Sequence, residues 1–352
     1  MKMRRAMQIA TVFAGIGGGV SLRRFQKRIE YHTDEDEHFT VDTDDGWVRD
    51  AYRYLPRGPR RGRPVVLVAG FGQNTALFDL GRGVSLARAL ADQGFEAVTV
   101  NLRGRGPRHN AKGSWTFDDL VTFDAPAIVS RVCDMTDTDS VTWLGVELGG
   151  QVLYASVLDG RTPGVAAAIS IAAPAGYPRD AVLPGVTVPP RHRSHGRITL
   201  RAAVRHRGPA LALARSQHRL EAGLRSATTD PVTAARYLTH AVSDESSALG
   251  DQLARWVATD LMTDAAGTRS WSDRLDRFRL PILMIAGAAD RRTPLAAVER
   301  TYAGLGSTDR TLFVAGRDQG CGIDYSHHDL VFGRTAPADV WPVIVAWLRD
   351  HS

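Results

Sequence analysis

Apolar and polar positions alternate in two short stretches near the start of the chain and then cease to alternate. "HFTVDTDDGWVRDAYRY" (38–54) holds two segments of period two around Asp45-Gly46, the pattern of a hairpin with one buried face. "RPVVLVAG" (63–70) is instead a continuous apolar run that ends in glycine. Runs of the same kind recur at 97–101, at 141–145 and in "VAAAISIAA" (165–173). Between them, amphipathic spacing predicts helices over 84–93, over 120–132 and from "GVELGG" to about position 158. Strands that are apolar on both faces and separated by helices predict a parallel sheet covered on both sides, an α/β fold. The pattern stops at Pro174 and resumes with "PILMIAG" (281–287) and "TLFVAG" (311–316), followed by a helix over 338–349. The stretch between reads as helical and rich in Arg, which predicts a cap inserted over the C-terminal edge of the sheet. The expected organisation is an N-terminal segment (1–37), a core (38–177 and 278–352) and a helical cap (178–277).

At 352 residues and 43% hydrophobic, the chain can bury a full core. Its two cysteines, Cys133 and Cys321, lie far apart without CxxC spacing, so neither a disulfide framework nor a zinc site is indicated and a reducing, cytoplasmic setting is the simpler expectation. The net charge is +6, and the stretch from Pro178 to Trp256, with twelve Arg, no Lys and six acidic residues, carries a surplus of that size. A regional surplus with no zinc-finger, RNA-recognition or basic-zipper signature argues against nucleic acid as a partner. At the N-terminus, Lys2, Arg4 and Arg5 precede an apolar run at 7–22 that is Gly-rich, shorter than a membrane span and followed by Arg23, Arg24, Lys27 and Arg28. A helix packed on the body or frayed is the expectation there, with association with a membrane surface and a true signal or anchor as the alternatives.

The stretch with the most chemistry in it is "WLGVELGG" (143–150). A strand that turns directly into a helix forces strained dihedrals and close backbone contact at the turn, so small residues are needed two before and two after the residue presented. Gly145 and Gly149 meet that demand around Glu147.

Here the chain resembles the α/β-hydrolase family, specifically its capped lipase and esterase members, over residues 38–350. "PVVLVAGFGQN" resembles the strand and oxyanion loop usually written with His-Gly, with Ala69 in place of that histidine, and "GFEAVTVNLRGRG" resembles the next strand and its turn, with Arg103, Gly104 and Gly106 in register. "GAADRRTP" resembles the loop of the triad acid, which implies that role for Asp290. "DYSHHDLVFG" resembles the histidine loop and implies His327 as the catalytic imidazole. The oxyanion donors implied are the backbone N–H groups of Phe71 and Leu148. The order of elbow, acid and histidine is the one this fold uses. The departure is Glu147, where the family pattern has serine. "GRDQG" (316–320) has the Gly-x-Asp-x-Gly form, but it leads into the histidine loop and not into a helix.

A carboxylate in that seat needs no deprotonation and can attack a saturated carbon, as relatives with Asp there do on epoxides and halides. It can equally act as a general base, since apolar surroundings raise carboxyl pKa values. Halide displacement is disfavoured because Leu148 stands where that group has tryptophan. Carboxylate attack on an ester is disfavoured because it gives an anhydride. The expectation is therefore an enzyme acting by hydrolysis, water addition or elimination on a small hydrophobic molecule, with Glu147 as nucleophile or base together with His327 and Asp290. The alternatives are a non-catalytic binding scaffold and a lipase- or esterase-like acyl hydrolase. No cofactor is expected, because "GIGGGV" lacks the strand and distal acid of a dinucleotide loop. Arg193, Arg197, Arg201 and Arg205 recur every four residues, which on a helix makes one stripe. That stripe is either a solvated face or a docking surface for an acyl-carrier phosphopantetheine, coenzyme A or an anionic membrane.

Overall fold

The computed structural model describes residues 29–30, 33–106, 113–178, 193–194, 196–201 and 228–352. The N-terminal apolar run and much of the Arg-rich stretch, Arg205 included, lie outside the described residues. Among these residues no helix is long and apolar enough to cross a membrane.

The strands are β1 (Glu37–Asp42), β2 (Val48–Tyr54), β3 (Val65–Val68), β4 (Ala97–Val100), β5 (Val141–Val146), β6 (Val165–Ile171), β7 (Arg193–Ser194), β8 (Arg197–Ile198), β9 (Glu245–Ser246), β10 (Ile282–Gly287) and β11 (Arg310–Ala315). Eight of them form one sheet in the order β1-β2-β4-β3-β5-β6-β10-β11. The β1–β2 hairpin and the β2–β4 pair are antiparallel, and every later pair is parallel. The α-helices of six residues or more among the described residues are α1 (Leu86–Asp92), α2 (Ala125–Thr136), α3 (Leu148–Leu158), α4 (Pro231–Arg236), α5 (Ser247–Thr259), α6 (Leu295–Gly304) and α7 (Trp341–Asp350).

The missing alternation in the central strands has its cause in two cores, one on each face. Val66, Val68, Val98, Val100, Trp143 and Met284 point into one, while Val65, Leu67, Ala97, Leu144, Val146 and Ile285 point into the other. Successive side chains of a strand face opposite ways, so burying both faces requires an unbroken apolar run. The result is an α/β-hydrolase fold with a mostly parallel central sheet, as the pattern predicted.

Between β6 and β10 the chain carries α4, α5 and a small three-stranded sheet of β7, β8 and β9. For Arg193 and Arg197 a helical stripe is not what forms there. Arg193 and Arg197 lie on the paired strands β7 and β8, joined through Gly196, whose φ of +76° belongs to a tight turn and not to a helix. A spacing of four therefore does not place these two on one helical face. Arg197 instead brings its guanidinium 5.9 Å from the centroid of the Trp115 ring, and the backbone N–H of Arg201 donates to Asp244 at 2.8 Å.

Candidate active site

Glu147 is the single residue between β5 and α3, held at φ 47°, ψ −112°. A non-glycine residue in that region costs on the order of 1–3 kcal/mol and persists only where its surroundings fix it. They do so here through close backbone contact. A Cβ on Gly145 would lie 2.4 Å from the Gly149 carbonyl carbon, and one on Gly149 would lie 2.2 Å from the Val68 carbonyl oxygen. The elbow is thus packed against the end of β3, and the loop that leaves β3 carries Phe71.

Three groups meet the Glu147 carboxylate, which is 2% exposed. Arg292 grips it with two parallel bonds, Nε to Oε1 and Nη2 to Oε2, each 3.0 Å. The Phe71 N–H donates to Oε2 at 3.3 Å. His327 Nε2 faces Oε2 from 3.7 Å, too far for a hydrogen bond, and is itself buried without a hydrogen-bond partner. Leu148, the other expected oxyanion donor, is buried and opens α3 directly after Glu147.

His327 is fixed from its far side. Its Nδ1 lies 2.8 Å from Asp290 Oδ2, and that carboxylate also accepts from the Thr293 hydroxyl at 2.6 Å and from the Arg292 and Thr293 N–H groups. Burial opposes ionisation of Asp290, but the His327 imidazole and these donors outweigh it and hold its carboxyl below the usual range. Burial likewise opposes the imidazolium of His327, yet Asp290 and Glu147 on its two sides raise its pKa. For Glu147, burial would favour the neutral acid, but the Arg292 guanidinium and His327 pull its pKa below the ordinary value. The site therefore holds an ionised carboxylate away from water.

Glu147, Asp290, His327 and Phe71 all meet within this one cluster, whereas Arg197 lies against Trp115. Asp329, two residues past His327, accepts from the Thr229 and Ser326 hydroxyls. Cys321 is buried, and burial pushes its thiol upward. Arg292 is the residue that sequence reasoning missed. The available signal was electrostatic: a carboxylate at a buried elbow demands a cation, and the acid loop "DRRTP" offers two.

A second buried network adjoins the first. Gln73 Nε2 donates to the Tyr237 hydroxyl at 3.0 Å, and that oxygen lies 3.1 Å from His328 Nε2. Burial, with positive charge on His327 and Arg292 opposing a second one beside them, drives His328 well below its usual pKa, so it stays neutral.

The strand order, the elbow between β5 and α3, and an acid and a histidine on the loops after β10 and β11 define a protein of the α/β-hydrolase class. The chain belongs to the serine aminopeptidase S33 family of hydrolases, which it matches over residues 61–316. It is similar to the lipase lipl-5 of Caenorhabditis elegans, 30% identical over 137 residues that make up 33% of each chain. It is also similar to sterol esterase 2 of Saccharomyces cerevisiae, 26% identical over 152 residues, 36% of this chain and 28% of that one. The matched stretch spans about a third of the length of these relatives. Among solved structures, an esterase from Thermogutta terrifontis superposes with a TM-score of 0.55 at 19% identity, over 90% of this chain and 100% of the other. A monoacylglycerol lipase from Paleococcus ferrophilus superposes with a TM-score of 0.55 at 18% identity, over 86% and 99%.

Proposed function

We propose that the chain is a lipase- or esterase-like hydrolase in lineage that acts on a small hydrophobic molecule, with Glu147 as a carboxylate nucleophile toward a polarised saturated carbon. The observation that carries this reading is the arrangement around Oε2: one oxyanion-loop N–H holds it, and an unpartnered, Asp-backed imidazole nitrogen stands 3.7 Å away.

The steps follow from those positions. Oε1 keeps a lone-pair direction beside its bond to Arg292 and attacks the carbon, whose bond to the leaving group breaks with its electron pair. An alkyl ester of Glu147 results. Water then attacks Cδ, giving its proton to His327 Nε2, and charge develops on Oε2, where the Phe71 N–H and Arg292 meet it. Collapse releases an alcohol that takes the proton back from His327 and leaves Glu147 as the acid, whose proton passes on to neutralise the leaving group of the first step and so restores the carboxylate. A strained cyclic ether fits this route better than a halide, because the side chain of Leu148 carries no N–H to meet a departing halide ion.

A second reading rests on the same ion pair. Arg292 occupies both oxygens of Glu147, as it would in a binding scaffold that performs no reaction. One comparison separates the two readings: wild type and Glu147→Gln, each incubated with 1,2-epoxyhexane and with p-nitrophenyl butyrate. Diol formed by the wild type alone, with both proteins equally folded, supports the nucleophile. Ester cleavage by both supports residual acyl hydrolysis through His327, and no product from either favours the scaffold. The segment between β6 and β10 would serve as the cap that shapes the pocket. Docking of an anionic partner on its basic stretch remains part of this proposal and requires binding that weakens with salt.

A further inference from the structure

The peptide that carries the Phe71 N–H has a carbonyl at its other end, that of Gly70, and this carbonyl is held by a buried arginine. Arg105 Nη1 donates to the Gly70 oxygen at 2.9 Å and lies 3.3 Å from the Ala69 oxygen. A trans peptide is planar, so its C=O and N–H point in opposite directions and fixing one aims the other. Holding the Gly70 oxygen on Arg105 therefore points the Phe71 N–H at Glu147. A cation on the carbonyl also polarises the peptide and strengthens its N–H as a donor.

Arg105 is in turn oriented by the segment between β6 and β10. Its Nη2 lies 2.5 Å from Glu245 Oε1, and both side chains are about 1% exposed or less. The same Glu245 oxygen accepts the N–H of the next peptide, Gly72, at 2.9 Å. Backbone pairing continues the contact: Ser243 N–H donates to the Gly72 oxygen at 2.8 Å, and Asn74 N–H to the Ala241 oxygen at 2.9 Å. Two successive peptides of the oxyanion loop are thus set by one buried ion pair, of which one partner comes from β4 and its turn and the other from the inserted segment.

We infer that Arg105, oriented by Glu245, is a positioning residue of the site: it acts through the Gly70–Phe71 peptide to aim the donor that holds the elbow carboxylate. The inserted segment then helps to assemble the site and does more than cover it. The inference rests on the reading that the Phe71 N–H serves the site, but its test needs no turnover. Protein labelled with nitrogen-15 at phenylalanine reports the Phe71 amide by NMR, assigned with Phe71→Tyr. In Arg105→Met the Phe71 amide should exchange with deuterium on the order of tenfold faster or more, and its proton resonance should move upfield. Phe95 and Phe313, buried or half-buried elsewhere, should not change. Arg105→Lys, which keeps a charge and a single donor, should restore part of the protection, and Glu245→Gln should fall between. An unchanged Phe71 amide in Arg105→Met, or a change shared equally by Phe95 and Phe313, would overturn the inference. If Arg105→Met does not fold, the same comparison is read from Arg105→Lys and Glu245→Gln.

Discussion

Removing Arg292 should expose how much of the fold rests on a single ion pair at the elbow. In Arg292→Met the side-chain volume is largely kept, while Glu147, 2% exposed, loses the bidentate partner at 3.0 Å from each oxygen. Breaking one partner out of a buried pair costs about 3–5 kcal/mol, because the other charge is left without compensation. The loss has a defined pH dependence. In the wild type the Glu147 pKa lies below its ordinary value, so the carboxylate contributes stability above the unfolded-state pKa and loses it as pH falls through the folded one. Without Arg292, burial pushes that pKa above the unfolded value. The variant then becomes relatively better off as pH falls, by about 1.4 kcal/mol per unit across the interval between the two values. Urea unfolding of wild type, Arg292→Met, Glu147→Gln and the double variant between pH 5 and 8 measures this. The deficit of Arg292→Met should be largest at pH 8 and smaller at pH 5, and the double variant should lose at least about 2 kcal/mol less than the sum of the singles. A deficit that does not vary with pH, or strict additivity, would refute the reasoning.

Other consequences are equally open to measurement. Gly149→Ala places a methyl 2.2 Å from the backbone oxygen of Val68, which cannot swing aside, so stability should fall by on the order of 1–3 kcal/mol in a thermal or urea melt. Asp290→Asn removes the anion that raises the His327 pKa; titration of the His327 ring by NMR should show a lower value, and turnover should fall by about 10⁴. His327 stability linked to its raised pKa is present at low pH and lost as pH rises through the folded value, so the Asp290→Asn deficit should shrink at alkaline pH. Glu147→Ser leaves Arg292 buried and unpaired, whereas Glu147→Ser with Arg292→Leu removes that charge. The double variant should be the more stable of the two, and p-nitrophenyl butyrate should show whether its serine, set beside His327 Nε2, cleaves esters faster.

The fold was legible because burial on both faces of the sheet leaves unbroken apolar runs, as at 65–68 and 141–146, that no exposed strand would tolerate. The elbow was legible for a local reason too, since the close approach of Gly145 and Gly149 to backbone admits no side chain. Arg292 was not legible because nothing local separates it from Arg291. One is buried against Glu147 and the other exposed, and that difference is decided by a contact 145 residues away in sequence. The spacing of Arg193 and Arg197 misled for the opposite reason. Periodicity suggested a helix, but Gly196 turns the chain and Ile198 finds a strand partner in β9. Arg105 and Glu245 share the limitation of Arg292: an ion pair between distant segments leaves no mark in either one.

The claim that Glu147 is a nucleophile is tested most directly by where an oxygen atom from water ends up. Enzyme in excess over 1,2-epoxyhexane, in water enriched in oxygen-18, is allowed a single turnover and digested, and the elbow peptide is weighed by mass spectrometry. If an ester forms on Glu147 and water attacks its Cδ, the heavy oxygen appears in the Glu147 carboxylate and the first diol carries none. Heavy oxygen in the diol with an unlabelled Glu147 peptide, or no diol at all from folded enzyme, would contradict it.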